Sequence, residues 1–356
     1  MKMRILTLIT LAGCLVLAVP VNPITAQSGE EPAAAAPTGP AVLFQSQAPL
    51  EMTVKANFRA LHRSKTKRSG YHTAAITYND GSGPREVDLR VRSRGHWRLK
   101  NCDMPPLLLN FTKPKAHGTP FEGLDRGRLV MHCKNNDEFD QYVLREYQLY
   151  RVWNQLTDLS HRARLARVTY VDSASGNPIT TRYAFILEDD EAMAQRNGGA
   201  IMEAKGAKSG DLNAYHDALV GVFQYMVGNV DWSVAGLHNV ILVRKEVDVF
   251  ATVYDFDFTG TVKTRYSTPD YRLPIRTVRQ RLFRGYCAPP EEFELVFAKF
   301  NEKKDAIYAL YSDEIGQLLN EEYRNETIKY YDDFYKTIND SGLARDRIVR
   351  ACLQAQ

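Results

Sequence analysis

The chain has 356 residues, 44% hydrophobic and 25% charged, with a formal charge of +4 at neutral pH. These values describe an ordinary globular protein and exclude a collagen-like, coiled-coil or strongly acidic disordered chain. No repeat or heptad run is present, and the charge balance gives no single-signed field that would make nucleic acid the leading ligand.

Taken in chain order, the first residues place Lys2 and Arg4 before an apolar run that ends near Val19 and a small-residue site ending at Ala26. That is the layout of a secretory leader, so an exported (periplasmic or secreted) protein cleaved near Ala26 is expected. Cys14 in "LAGC" offers the competing reading of an acylated lipoprotein. No later segment approaches the length of apolar chain needed to span a bilayer. Residues 27–48, with "SGEEPAAAAPTGPA", are small and Pro-rich and read as a disordered tether.

Strand patterns follow: "LEMTVKANFRAL", then two strands around an Asp-Gly turn in "YHTAAITYNDGSGPREVDLRVRSRG", then the short apolar runs "MPPLLLNFT" and "GRLVMHC". From Asp140 the period changes, with Tyr142, Leu144, Tyr147, Tyr150, Trp153 and Leu156 spaced as on one helix face. A hairpin is expected in "RLARVTYVDSASGNPITTRYAFILEDD", a second helix in "LNAYHDALVGVFQYMVGN" and two more strands in "NVILVRKEVDVFATVYDFD". Beyond residue 290 the spacing is helical. This order suggests a sheet-rich N-terminal lobe over 49–190 and a C-terminal helical lobe over 191–356 carrying the last hairpin.

The chain contains five cysteines, and loss of the leader removes Cys14 and leaves Cys102, Cys133, Cys287 and Cys352. An even set in an oxidising compartment implies disulfides in one of three connectivities. Cys102 with Cys133 and Cys287 with Cys352 is the pairing expected here.

The most informative stretch is "GNVDWSVAGLHNVILVRKEVDVFATVYDFDFTG", residues 228–260. Asp231 follows a helix end, Asn239 opens a strand, and Asp255 and Asp257 end the next one. A tight hairpin brings Asn239 beside Asp255, since neighbouring strands lie about 5 Å apart. Carboxylate and amide oxygens in that grouping suit Mg²⁺ or Mn²⁺, which take one or two protein carboxylates together with phosphate oxygens and water. Asp231 could then orient a hydroxyl nucleophile, the same order of parts as in protein-kinase-type phosphoryl transfer.

Three segments carry a family resemblance over roughly residues 85–262: "LRVRSRGHWR", "YVDSASGNPITTRYAFILEDD", and "GNVDWSVAGLHN" with "VYDFDFTG". The chain resembles the CotH kinase-like family, atypical protein kinases named for a spore-coat protein. The resemblance implies an α+β, two-lobed kinase-like fold with an antiparallel-sheet N-lobe and a mainly helical C-lobe. It implies ATP with Mg²⁺ or Mn²⁺ as cofactors and a protein or surface-component acceptor. By the same likeness Asp231 is the catalytic-loop acid, Asn239 and Asp255 are metal ligands, and Asp257 supports the metal. Arg92, Arg94 and Gly95 fall near the nucleotide phosphates, and Glu188 falls at the adenine-contacting link between lobes. Glu146 would pair with a phosphate-contacting lysine, for which Lys100, Lys113 and Lys134 are candidates. The spacing from Asp231 to Asn239 is longer than in ordinary kinase loops. Two other readings are carried forward: a non-catalytic kinase-like scaffold binding envelope or surface material, and transfer of a nucleotide in place of a phosphoryl group.

Overall fold

The structure, a computed structural model, describes residues 41–63, 70–95 and 97–354. The expected leader and most of the expected tether lie outside these residues. At its C-terminal end the tether expectation is corrected: Val42–Gln45 form a 3₁₀ turn with Leu43 and Phe44 buried. Arg164 holds this turn by donating from Nη1 to the carbonyls of Leu43 and Ser46.

The chain then runs β1 (Leu50–Ala56), α1 (Phe58–Arg63), β2 (His72–Asn79), β3 (Pro84–Ser93), α2 (Trp97–Asn101), β4 (Leu107–Asn110), α3 (Lys113–Ala116) and β5 (Arg126–Met131). It continues through α4 (Asp137–Leu156), β6 (Ala163–Asp172), β7 (Pro178–Glu188), α5 (Asp190–Arg196), β8 (Ala200–Met202) and α6 (Ala214–Val227). Last come β9 (Val240–Lys245), β10 (Asp248–Val253), α7 (Pro290–Ala309), α8 (Glu321–Asn339) and α9 (Ser341–Ala344).

The strands do not form the expected kinase-like pair of lobes with an antiparallel-sheet N-lobe. β1 to β7 close into a seven-stranded barrel in the order β1-β2-β3-β4-β5-β7-β6, and β8, β9 and β10 form a separate three-stranded sheet. Closure is made by β1 and β6 running parallel, from Leu50 opposite Ala166 to Ala56 opposite Asp172. Hairpin signals in a sequence identify strands joined by tight turns, but they leave the outer edge of the first strand without a partner. An open edge exposes unpaired backbone groups, and here β6 covers it from more than a hundred residues away.

Residue alternation explains how the barrel meets the helices. Met52, Val54, Val87, Leu89, Val91, Leu129, Val168, Ala184 and Ile186 fill the barrel interior. The intervening Val130, Leu165, Phe185 and Leu187 point the other way and join the core built by α4, α6, α7 and α8. β7 therefore reads "AFIL" without polar breaks because both of its faces are buried. Trp153 of α4 is fully buried and stacks on Phe223 of α6 with ring centroids 4.6 Å apart. Large aromatics at such a contact contribute several kcal/mol, about 3–5 if truncated to alanine.

Both expected disulfides form, Cys102–Cys133 and Cys287–Cys352. They are compatible with an exported protein. Among the described residues no helix is long and apolar enough to cross a membrane.

Candidate functional site

Helix α6 is buried along most of its length and ends at Gly228, whose φ of 69° is left-handed. A β-carbon there would lie 2.3 Å from the Tyr330 hydroxyl, so both the backbone conformation and the packing require glycine. Directly after it, Asn229 donates to Gln224 Oε1 at 3.1 Å and accepts from the Asp231 backbone at 2.9 Å. The loop that delivers Asp231 is thereby fixed to the helix end.

A tight turn follows, closed by reciprocal backbone bonds of 3.0 Å between Ser233 and His238. Leu237 and Asn239 adopt positive φ, 49° and 53°. Asn239 Nδ2 donates to the Asp231 carbonyl at 2.8 Å and to Asp231 Oδ2 at 3.3 Å, while His238 Nε2 lies 2.9 Å from Oδ1. That bond to Asp231 outweighs partial burial and raises the His238 pKa above its ordinary value.

The β9–β10 hairpin does what its spacing suggests. Val240 pairs with Val253, and the Tyr254 backbone donates to the Asn239 carbonyl at 3.2 Å. Asp255 follows with a positive φ of 64°, its amide donating to the Tyr150 hydroxyl at 3.0 Å. Left-handed Asn and Asp are tolerated but uncommon, and such positions concentrate where surrounding structure enforces them. Among the described residues the Asp255 carboxylate and the Asn239 side-chain oxygen have no protein hydrogen-bond partner.

The opposite wall comes from the segment after β3. Arg94 donates its backbone amide to Pro106 O at 2.9 Å, and Gly95 turns with φ +89° into α2. Arg98, on α2, lies 2.9 Å from both Glu146 Oε2 of α4 and Asp257 Oδ2. The Tyr266 hydroxyl donates to the same Asp257 oxygen at 3.0 Å. Burial acts against the Arg98 cation, but Asp257 and Glu146 outweigh it and hold its pKa well above the ordinary value. Burial pushes Glu146 up to about 8 and Asp257 up to about 6, against the pull of Arg98. Asp255 adds negative charge that raises both further, while the single guanidinium they share lowers both without offsetting their burial.

Arg94 has no such partner. No carboxylate lies within ion-pair distance of it among the described residues. Burial, reinforced by Arg128, pushes its pKa down to about 10 although Asp255 acts the other way. Arg128 is itself committed, bonded to Asp190 and placed 5.1 Å from the centre of the Tyr254 ring.

Together these groups line one cleft of about 460 Å³, which takes in Arg94, Gly95, Arg98, Glu146, Asp231, Asn239, Asp255 and Asp257. Two expected residues are not in it. Arg92 stays on β3, its guanidinium 5.3 Å from the Tyr71 ring, because the strand ends at Ser93 and only Arg94 passes beyond it. Glu188 is buried and its carboxylate is consumed by Arg196 and by the Arg162 amide, so it cannot face a nucleobase. Asp257 lines the cleft but is bound to Arg98 and Tyr266, which removes it from the free metal ligands. None of the three candidate lysines lines the cleft, and Lys134 pairs with Asp103 at 2.8 Å. The partner of Glu146 is Arg98, the last residue of "RGHWR", which sequence reasoning passed over in favour of lysine.

Among the described residues no three His, Cys, Asp or Glu side chains form a ready-made metal site. The open oxygens are those of Asp255 and Asn239, a set that suits a cation whose remaining ligands are phosphate oxygens and water. A scan against protein-family models and a search of curated proteins found no match to this chain.

Proposed function

We propose that the cleft binds a divalent-metal complex of a nucleoside triphosphate and transfers its terminal phosphoryl group to a hydroxyl on a protein or surface component. One observation carries this reading. Arg94 and Asp255 face a common cavity with opposite charges, and among the described residues neither forms an ion pair. Unpaired charges in a partly desolvated site are costly. A ligand with both phosphate anions and a bound cation relieves the two at once.

The other residues fit the same chemistry. Arg94 can grip phosphate oxygens through two N–H groups. Asp255 and the Asn239 amide oxygen would hold the cation, which when bound supplies positive charge to the phosphates. Asp231, held by Asn239 and His238 at the cleft rim, is in place to accept a hydrogen bond from an incoming hydroxyl. In the transfer, the acceptor oxygen bonds to the terminal phosphorus as its bond to the bridging oxygen breaks, and the hydroxyl proton leaves toward Asp231. Val130, Leu187 and Tyr254 give the cleft an apolar wall of the kind a nucleobase needs. The resemblance to the CotH kinase-like family points to the same class of reaction.

The test uses the purified mature chain with Mg²⁺ or Mn²⁺ and a terminally labelled nucleoside triphosphate. Metal-dependent nucleotide binding by calorimetry and label transfer to protein, both lost in Asp255→Asn, are the expected results. Absence of metal-dependent binding in the unaltered protein would sink the proposal and leave a surface-binding scaffold. An adduct heavier than one phosphate by intact mass would redirect it to nucleotide transfer.

A further inference from the structure

A second cavity, of about 760 Å³, opens among the helices that follow the β10 hairpin, between α8 and the segment before α7. Four cations line it, Arg279, Arg281, Lys336 and Arg347, against a single carboxylate, Asp333. None of the four cations has an ion pair among the described residues. Lys336, Arg347 and Asp333 are exposed, whereas Arg279 and Arg281 are half-buried.

The two half-buried arginines are held by backbone carbonyls. Arg279 Nη1 donates to Gly260 O at 3.0 Å, and Arg281 donates from Nε and Nη2 to Met226 O at 3.2 Å and from Nη2 to Tyr330 O. Their guanidinium carbons lie 4.1 Å and 3.5 Å from the centre of the same Tyr330 ring. Two cations on one aromatic ring repel each other, and carbonyl oxygens carry no compensating full charge. Burial accordingly lowers the Arg281 pKa. Arg279 Nε and Nη2 and Arg281 Nη1 keep unclaimed donors among the described residues.

A pre-fixed pair of guanidiniums with spare N–H groups, an added lysine and a further arginine, and room for more than one ion together make an oxyanion receptor. We propose that this cavity binds a compact phosphorylated small molecule carrying at least two negative charges, of the pyrophosphate or phosphomonoester class. The excess of three cations over carboxylates in the lining sets that minimum charge, since a monoanion would leave most of the repulsion in place. The assignment stands whether or not the cleft transfers phosphate.

The experiment is calorimetry of the mature chain with pyrophosphate and with inorganic phosphate, at low salt and with chelator present so that no metal assists the cleft. One site for pyrophosphate, tighter than for inorganic phosphate, is expected. Lys336→Glu combined with Arg347→Glu should weaken pyrophosphate at least tenfold; both positions are exposed and neither forms an ion pair among the described residues, so the circular dichroism of the variant should match the parent. Arg94→Met, in the other cavity, should leave the affinity unaltered. No binding at millimolar pyrophosphate, or binding that survives the double charge reversal and disappears in Arg94→Met, overturns the proposal.

Discussion

Arg94 and Asp255 line the same cleft from different parts of the chain and carry opposite charges, yet they do not pair. Burial opposes the cationic form of Arg94, and Asp255, too far away to pair, offsets that only in part. A residue that costs the free protein stability while serving a ligand leaves a recognisable signature. Arg94→Met should therefore raise the melting temperature of the ligand-free protein by about 2 °C, equivalent to roughly 1 kcal/mol for a chain of this size. The same variant should lose the thermal shift that metal and nucleoside triphosphate give the parent. A lower melting temperature without ligand would show that Arg94 has a structural partner after all.

Arg98 is the opposite case, a cation on which two buried carboxylates depend. Removing one member of a buried ion pair leaves an uncompensated charge and costs about 3–5 kcal/mol. Arg98→Ala should lose stability in that range by urea denaturation at pH 9, above the raised pKa values of Glu146 and Asp257, where the parent holds both as carboxylates. Arg98→Ala with Glu146→Gln and Asp257→Asn should recover part of it, because the stranded charges are gone. If the triple variant is no more stable than the single one, the guanidinium acts by packing and not by charge.

How much of this was legible beforehand can be read from particular residues. The hairpin that joins Asn239 to Asp255 is local, with Val240 opposite Val253, so strand spacing alone located it. Both disulfide partners were anticipated as well. Barrel closure was not, because β1 pairs with β6 through a parallel register that no turn chemistry encodes. Arg92 and Arg94 look equivalent in the sequence and are separated only by where β3 stops. Glu188 could not be told from a ligand-facing acid because its partner, Arg196, lies in the next helix and could equally have pointed into solvent. Arg98 was overlooked since its two partners come from positions 48 and 159 residues away.

The Cys102–Cys133 disulfide joins α2, which carries Arg98, to the chain between β5 and α4, which carries Glu146. It spans a sequence separation of 31 residues, and closing a loop of that size is worth about 3–4 kcal/mol in the chain-entropy account. Cys102→Ser with Cys133→Ser should lower stability by up to that amount. It should also weaken nucleotide binding in the cleft beyond what the parent shows at equal distance from its own melting temperature. Replacing Cys287 and Cys352, which link Gly285's neighbourhood to the C-terminal tail, should reduce stability without that second effect. Equal loss of binding in both pairs would mean that neither disulfide positions the cleft.

Asp217 provides a pH-dependent test away from the cleft. It lies in the first turn of α6, is almost fully buried, and its Oδ1 has no hydrogen-bond partner among the described residues. Burial pushes its pKa up to about 7. In the unfolded chain the same carboxyl ionises near its ordinary value of about 4. A folded-state pKa above the unfolded one means that the folded protein binds the extra proton, so stability is greatest below about pH 4 and declines as pH rises toward 7. The displacement corresponds to at most about 4 kcal/mol, part of which an amide would forfeit by burying its own N–H groups. Asp217→Asn should therefore stabilise the protein at pH 8, on the order of 2 kcal/mol, with the gain shrinking toward pH 4. His216 beside it, whose pKa burial lowers to about 4, acts with the opposite sign, losing stability as pH falls from about 6.5, so it is common to both proteins and cancels in the difference. Melting curves of the two proteins across pH 4–8 read this directly, and a difference that does not change with pH would show that Asp217 is ionised in the folded state.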